Sequence, residues 1–302
     1  MRTLSLKIEP ADNDRTVQSL LHRELACSDA FISRLKRRTA GILLNGVRCY
    51  VTARVKPGDE LVIEIGDEPD GHIVPMAYPL KIRFEDEDLL ILEKPAGIAV
   101  HQSTRDPGEL TLENAVCDYL GGNVSPHPVS RLDRGTSGLM AFAKSGYIHE
   151  RLRRQMHTEQ YRRVYLGVAV GRVDPPAGTI DLAIGMAEGS TYKRMIRSDG
   201  QAAHTSYETL LVNDRFTLLR LVPSTGRTHQ LRVHLSAIGY PLAGDWLYGV
   251  EDRSLILRPA LHSAELTLTH PITGKTICLQ SELPEDLRAL IHFPLDREGE
   301  ES

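Results

Sequence analysis

The segment from Val129 to Ala143 leaves the backbone few options. An acid, Asp133, stands between two arginines, Arg131 and Arg134, and the small-residue run Gly135-Thr136-Ser137-Gly138 follows. Next comes Leu139-Met140-Ala141-Phe142-Ala143, an apolar run short enough to be a buried strand. A carboxylate is therefore expected on a tight turn leading into the core. The flanking cations favour its ionised form, and the glycines let a ligand or another backbone approach closely. Such a carboxylate can act as a nucleophile or as a partner for developing positive charge. Read alone, the same residues would serve equally well for a structural salt bridge in a turn.

The chain has 302 residues, enough for one large domain or two. No apolar run approaches the length of a membrane span, and the charged N-terminus lacks the apolar core of a signal peptide, so a cytoplasmic location is expected. The four cysteines, Cys27, Cys49, Cys117 and Cys278, are scattered and form no C-x-x-C pair, which argues against structural zinc or a disulfide framework. His229 and His234 lack a carboxylate or cysteine to complete a recognisable metal set, and no metal is expected. The net charge of −4 is mildly unfavourable for nucleic-acid binding, but its distribution matters more. From Ala30 to Gly58 there are seven basic residues (Arg34, Lys36, Arg37, Arg38, Arg48, Arg54, Lys56) and no acid, whereas the tail from Glu282 is acidic.

In chain order, residues 2–9 alternate like a strand. A helix is expected from Thr16 and a second from about Ser28 to Arg38, with Arg34, Lys36, Arg37 and Arg38 on its outer face and end. A strand, an Asn45-Gly46 hairpin turn and a return strand follow, then a further strand up to Ile65. Lysines and arginines on a helix surface neutralise phosphates without reading sequence, although a plain solvated face has the same composition. Gly66 to Pro79 reads as a linker. Strands are expected at 81–84 and 89–93, with Lys94 and His101 at the rim of a Pro-Ala-Gly turn. Helices are expected from Thr111 to Leu120 and from Ser145 to about Thr158, the latter carrying Arg151, Arg153 and Arg154. Tyr161–Val170 is a strand, and residues 178–223 are successive strands with a basic cluster of Lys193, Arg194 and Arg197 near a loop. Thr228 is expected to cap a helix that carries Arg232. The arrangement is α+β: a mixed, mostly antiparallel sheet with flanking helices, preceded by a small α/β unit.

Arg131-Leu132-Asp133-Arg134-Gly135-Thr136-Ser137-Gly138-Leu139 resembles the HRLDRxTSGL signature of the RluA-type pseudouridine synthases, with Ser130 where the family usually has His. Four further segments resemble that family in order: Glu93–His101, Arg163–Val168, Gly226–Leu235 and Gly239–Gly249, with the strand at His262 beyond them. The stretch 14–66 resembles the αL-type RNA-binding domain of a small-subunit ribosomal protein. The division implied is residues 1–75 for RNA binding plus linker and 76–302 for catalysis. The resemblance implies that uridines in structured RNA, ribosomal or transfer, are isomerised to pseudouridine. Asp133 would act at the ribose. Tyr165, preferred over Tyr161, would stack on the flipped base and assist removal of the carbon 5 proton, and Arg232 would pair with Asp133. Arg131 would contact RNA beside the flipped site, with Arg134, Arg227, Arg34, Lys36, Arg37 and Arg38 as further RNA contacts. The products are isomers, so no cofactor is expected, nor an obligatory protein partner or a membrane. The alternative is an inactive RNA-binding protein derived from a synthase.

Overall fold

All seven residues of the strand behind the Asp133 turn are buried, because the sheet is covered on both faces. The computed structural model describes residues 2–67, 73–103, 106, 108–122, 124–156 and 158–291. Part of the expected linker, residues 68–72, and the acidic positions Asp296, Glu298, Glu300 and Glu301 lie outside the described residues.

The N-terminal part holds β1 (Thr3–Lys7), α1 (Val17–Arg23), α2 (Asp29–Arg37), β2 (Ile42–Leu44), β3 (Val47–Arg48) and β4 (Glu60–Glu64). Its four strands form one sheet in the order β1-β4-β2-β3. Each helix starts where a hydroxyl can accept from a free backbone N–H: Thr16 from Ser19 and Ser28 from Phe31. Asn45 and Gly46 both have positive φ at the β2–β3 hairpin, which is what a two-residue turn of the primed type requires.

The larger part continues with β5 (Lys81–Glu85), β6 (Leu89–Lys94), α3 (Leu112–Tyr119), β7 (His127–Pro128), β8 (Ser137–Ala143), α4 (Gly146–Gln155), β9 (Tyr161–Val170) and β10 (Ala177–Asp181). Then come β11 (Ile184–Met186), β12 (Arg194–Ile196), β13 (His204–Val212), β14 (Phe216–Pro223), α5 (Gln230–Ala237), β15 (Leu261–Thr269), β16 (Thr276–Gln280) and α6 (Glu285–Ile291). The main sheet runs β10-β13-β14-β9-β15-β8-β6-β5, with β16 beside β15 and β7 beside β8. Its pairs are antiparallel except β8–β15, and β11 and β12 form a separate hairpin.

Strand alternation sorts the side chains between the two faces. Leu89, Ile91, Leu139 and Ala141 point to a core that also contains α4, β15 and the helices of the N-terminal part. Leu90, Leu92, Met140 and Phe142 point to the opposite core, closed by α3 and α5. The N-terminal part therefore shares a hydrophobic core with the larger sheet. Tyr147 Oη donates to the Leu25 carbonyl at 2.6 Å, Ser28 to Glu150 at 2.8 Å, and Arg154 to the Ala26 carbonyl at 3.0 Å. No helix among the described residues is long and apolar enough to cross a membrane.

Candidate active site

Asp133 sits just ahead of β8, and its carbonyl accepts from Thr136 N at 3.0 Å to close the turn. The carboxylate is 26% exposed and lines a cavity of about 810 Å³. Neither flanking arginine neutralises it. Arg134 forms a two-pronged ion pair with Glu109, and Arg131 projects, exposed, at the cavity wall. The cation that reaches Asp133 is Arg232 from the first turn of α5, with Nη1 3.4 Å from Oδ2.

Arg232 is itself fixed by a residue to which the sequence reading gave no role. Asp245 is fully buried and accepts from Arg232 Nε at 2.7 Å and Nη2 at 2.8 Å. Asp245 also accepts from the backbone of Leu247 and Tyr248, so its loop cannot turn it away. Burial works against the Arg232 charge, but the Asp245 and Asp133 carboxylates more than offset this and raise its pKa. The Gly244-Asp245 step in the Gly239–Gly249 segment was the available signal. Only folding shows that this carboxylate faces α5.

Lys94 was expected at the rim. It is 1% exposed, beneath the turn, and donates to the carbonyls of Pro95 (2.7 Å), Ile98 (2.8 Å) and Arg134 (3.1 Å). Burial pushes its pKa down to about 7, with the Asp133 charge opposing. Three carbonyl acceptors call for three N–H donors, which an ammonium has and a neutral amine lacks, so the hydrogen bonds also favour the charged form.

Tyr165, on β9, lines the cavity, whereas Tyr161 lies in the core of the other face. Burial raises the Tyr165 pKa; the nearby Arg163 guanidinium opposes this and the Asp133 charge adds to it. Arg163, whose position drew attention only as part of a motif, is buried in the same wall. Ser130 is buried beside the turn and also lines the cavity.

Thr228 does not cap α5. The cap position is His229, a non-glycine residue at φ 57°, with no side-chain cap bond. Its ring is 2.8 Å from the Tyr248 hydroxyl, and burial lowers its pKa. His234 faces elsewhere, toward Thr205 and the Leu182 carbonyl.

The N-terminal cations divide into two groups. Lys36 and Arg37 are exposed. Arg34 lies over the Phe31 ring and 3.7 Å from Asp67, and Arg38 donates to the carbonyls of Glu64 and Gly66. Arg38 is thus engaged in holding its own unit together. On α4, Arg151 and Arg154 bond within the junction with the N-terminal part, and Arg153 reaches the cavity.

A partly exposed carboxylate aligned by a buried arginine thus lies in a cleft walled by a tyrosine and further arginines, a charge arrangement that suits an anionic ligand. Residues 88–237 match the family described as RNA pseudouridylate synthase. An uncharacterized RNA pseudouridine synthase of Bacillus subtilis, YjbO, is 35% identical, over 89% of this chain and 95% of its own. Ribosomal large subunit pseudouridine synthase D of Pseudomonas aeruginosa is 34% identical, over 86% and 88%. The solved structure of human RNA pseudouridylate synthase domain containing 4 superposes with a TM-score of 0.57 at 26% identity, covering 70% of this chain and 92% of that one. The chain belongs to the RNA pseudouridylate synthase family.

Proposed function

We propose that this protein isomerises uridine to pseudouridine in structured RNA, with ribosomal RNA of the large subunit as the substrate. The observation that carries the mechanism is the contact of Arg232 with both Asp245 and Asp133 at the cavity wall. The substrate assignment draws on relatives named as large-subunit synthases. Detaching uracil from ribose builds positive character at the sugar, and an ionised Asp133 can bond to that centre or take a neighbouring proton. Arg232 orients the carboxylate through a charge-assisted contact at 3.4 Å. A uridine inside a helix is inaccessible, so the base must flip into the cavity, where the Tyr165 ring offers a stacking face. Its raised pKa keeps the Tyr165 phenol protonated at rest. Any part it plays in removing the carbon 5 proton therefore depends on Arg163 stabilising the oxygen. Arg131, Arg227 and Arg153 at the cavity, and Lys36 and Arg37 on α2, are the cations available to phosphates.

Asp133→Asn tests the assignment, because it keeps shape and removes charge. RNA binding should persist, while conversion, followed by carbodiimide labelling of RNA from cells lacking the protein, should fall by at least about a thousandfold. Full turnover by Asp133→Asn would refute the mechanism.

A further inference from the structure

A second cavity, of about 390 Å³, opens beside the first and shares Arg131, Arg227 and Thr228 with it. Its outer wall is the β11–β12 hairpin, which contributes Gly185 and Arg194. Three arginines, Arg131, Arg194 and Arg227, therefore line one small space. Four arginines elsewhere are held by acids: Arg134 by Glu109, Arg258 by Asp286, Arg2 by Asp88 and Arg232 by Asp245. Here the Arg227 Nε donates to the Ala202 carbonyl, and Arg194 Nε is buried with no hydrogen-bond partner among the described residues. The acid in the wall, Asp199, is held by Arg197 through two bonds of 2.7 and 2.8 Å. Like charges brought together without a counter-charge repel, and a buried donor without an acceptor is unfavourable. An anion with several oxygens relieves both.

The hairpin is also tied to the catalytic site. Arg194 N donates to Tyr248 Oη at 2.9 Å, and that same hydroxyl is 2.8 Å from His229. The Arg232 guanidinium lies over the Tyr248 ring, 5.1 Å from its centroid. A ligand in the second cavity is thus positioned relative to Asp133 through Tyr248 and α5.

We infer that this cavity is a phosphodiester subsite, which takes the backbone phosphate of the nucleotide next to the one entering the Asp133 cleft, with Arg194 as the positioning residue. The inference rests on the reading that the substrate is RNA. Guanidinium groups suit it because they present forked donors to phosphate oxygens. The contact carries no sequence information, and fixes the register of the strand so that one uridine meets Asp133.

The test measures binding of an in-vitro transcript of large-subunit ribosomal RNA as salt is raised, for the wild-type protein, Arg194→Ala and Arg194→Gln. Loss of one phosphate contact should make the slope of log affinity against log salt shallower by about 0.7 to 0.9. In both variants the apparent KM should rise by about tenfold, with the larger part of the loss in KM rather than kcat, as expected for binding shared by ground and transition states. Arg194→Gln keeps the aliphatic stem and a polar end, so it answers the question should Arg194→Ala fold poorly. Arg194→Lys, which restores a charge, should recover the slope. A wild-type slope in Arg194→Gln would overturn the subsite. Pseudouridine formation by the wild-type protein on RNA from cells lacking it is scored separately: its absence refutes the proposed function, whereas its presence with an unchanged slope refutes only the subsite.

Discussion

Arg232 meets Asp133 with one nitrogen at 3.4 Å and Asp245 with two at 2.8 Å or less. The closer partner is the one that carries no proposed chemistry, so the position of the guanidinium depends on Asp245. Removing one partner of a buried pair leaves an uncompensated charge and costs about 3–5 kcal/mol. Asp245→Ala should therefore lower stability by that order in urea unfolding. Asp245→Asn keeps one acceptor but should still reduce kcat, because Arg232 would no longer be held against Asp133. Asp133, Tyr165 and Arg232 lie in compact motifs, and so does Asp245. Its role was not legible there, because its partner is set by the docking of a loop on a helix thirteen residues away in the chain. The two arginines beside Asp133 in the sequence are not its ion-pair partners among the described residues: Arg134 pairs with Glu109, Arg131 is exposed at the cavity wall, and the pair to Asp133 is made by Arg232 from a distant helix. Tyr165→Phe keeps the ring and deletes the oxygen. RNA affinity should survive, and turnover should fall by about 10²-fold or more if that oxygen handles the proton. Equal turnover would leave Tyr165 with stacking alone.

The element that presents Asp133 depends on the parallel seam of the main sheet, where β8 meets β15 with Ser137 opposite His262 and Gly138 opposite Ser263. Gly138 has φ 109°, and a Cβ there would come within 2.2 Å of the Ser263 carbonyl oxygen. Gly138→Ala would combine a disfavoured backbone conformation with a backbone clash, and should be destabilising by about 3 kcal/mol or more. Urea unfolding would measure it. Across the same seam, His262 on β15 sits between the Ser137 and Ser281 hydroxyls, at 2.9 and 3.1 Å. Burial depresses its pKa from 6.5 to about 4, with Arg258 adding to the effect. The unfolded chain therefore binds more protons than the folded one between those values, and stability is lost as pH falls from about 6.5 toward 4. For a shift of this size the loss is on the order of 3 kcal/mol. The melting temperature should drop over that window, and His262→Gln should flatten the drop. The starts of four helices were legible because a cap is a local bond, at Thr16, Ser28, Thr111 and Ser145. The start of α5 was not, since a left-handed histidine takes the place of a hydroxyl cap, and nothing local in Thr228-His229 requires that.

Across the whole molecule, the alternating and helical patterns gave most elements in order as far as α5, but not β7, β16 or α6, and not which faces they cover. The basic N-terminal part read as a separate module on a linker. Its helices instead complete one face of the main sheet: Phe31 packs on Tyr147 with ring centroids 5.1 Å apart, and Leu20, Leu21 and Leu35 share a core with Leu139, Ala141 and Leu266. Apolar positions at helical spacing cannot indicate whether their partner lies in the same unit or across the chain. Burial of this kind stabilises by about 25 cal/mol per Å² of apolar surface, and removing the cover would expose β8, the strand that carries the Asp133 turn. A chain starting at residue 76 should consequently lose stability as well as RNA affinity. It should aggregate or melt well below the full-length protein, with near-ultraviolet circular dichroism showing loosened packing around Tyr147 and Tyr161. A truncated protein that melts like the full chain and converts uridine at the normal maximal rate would show that the shared core is dispensable. Replacing the exposed Lys36 and Arg37 with alanine separates the two contributions. That variant should melt normally and lose only RNA affinity, with a shallower salt dependence, because neither side chain is part of the buried face.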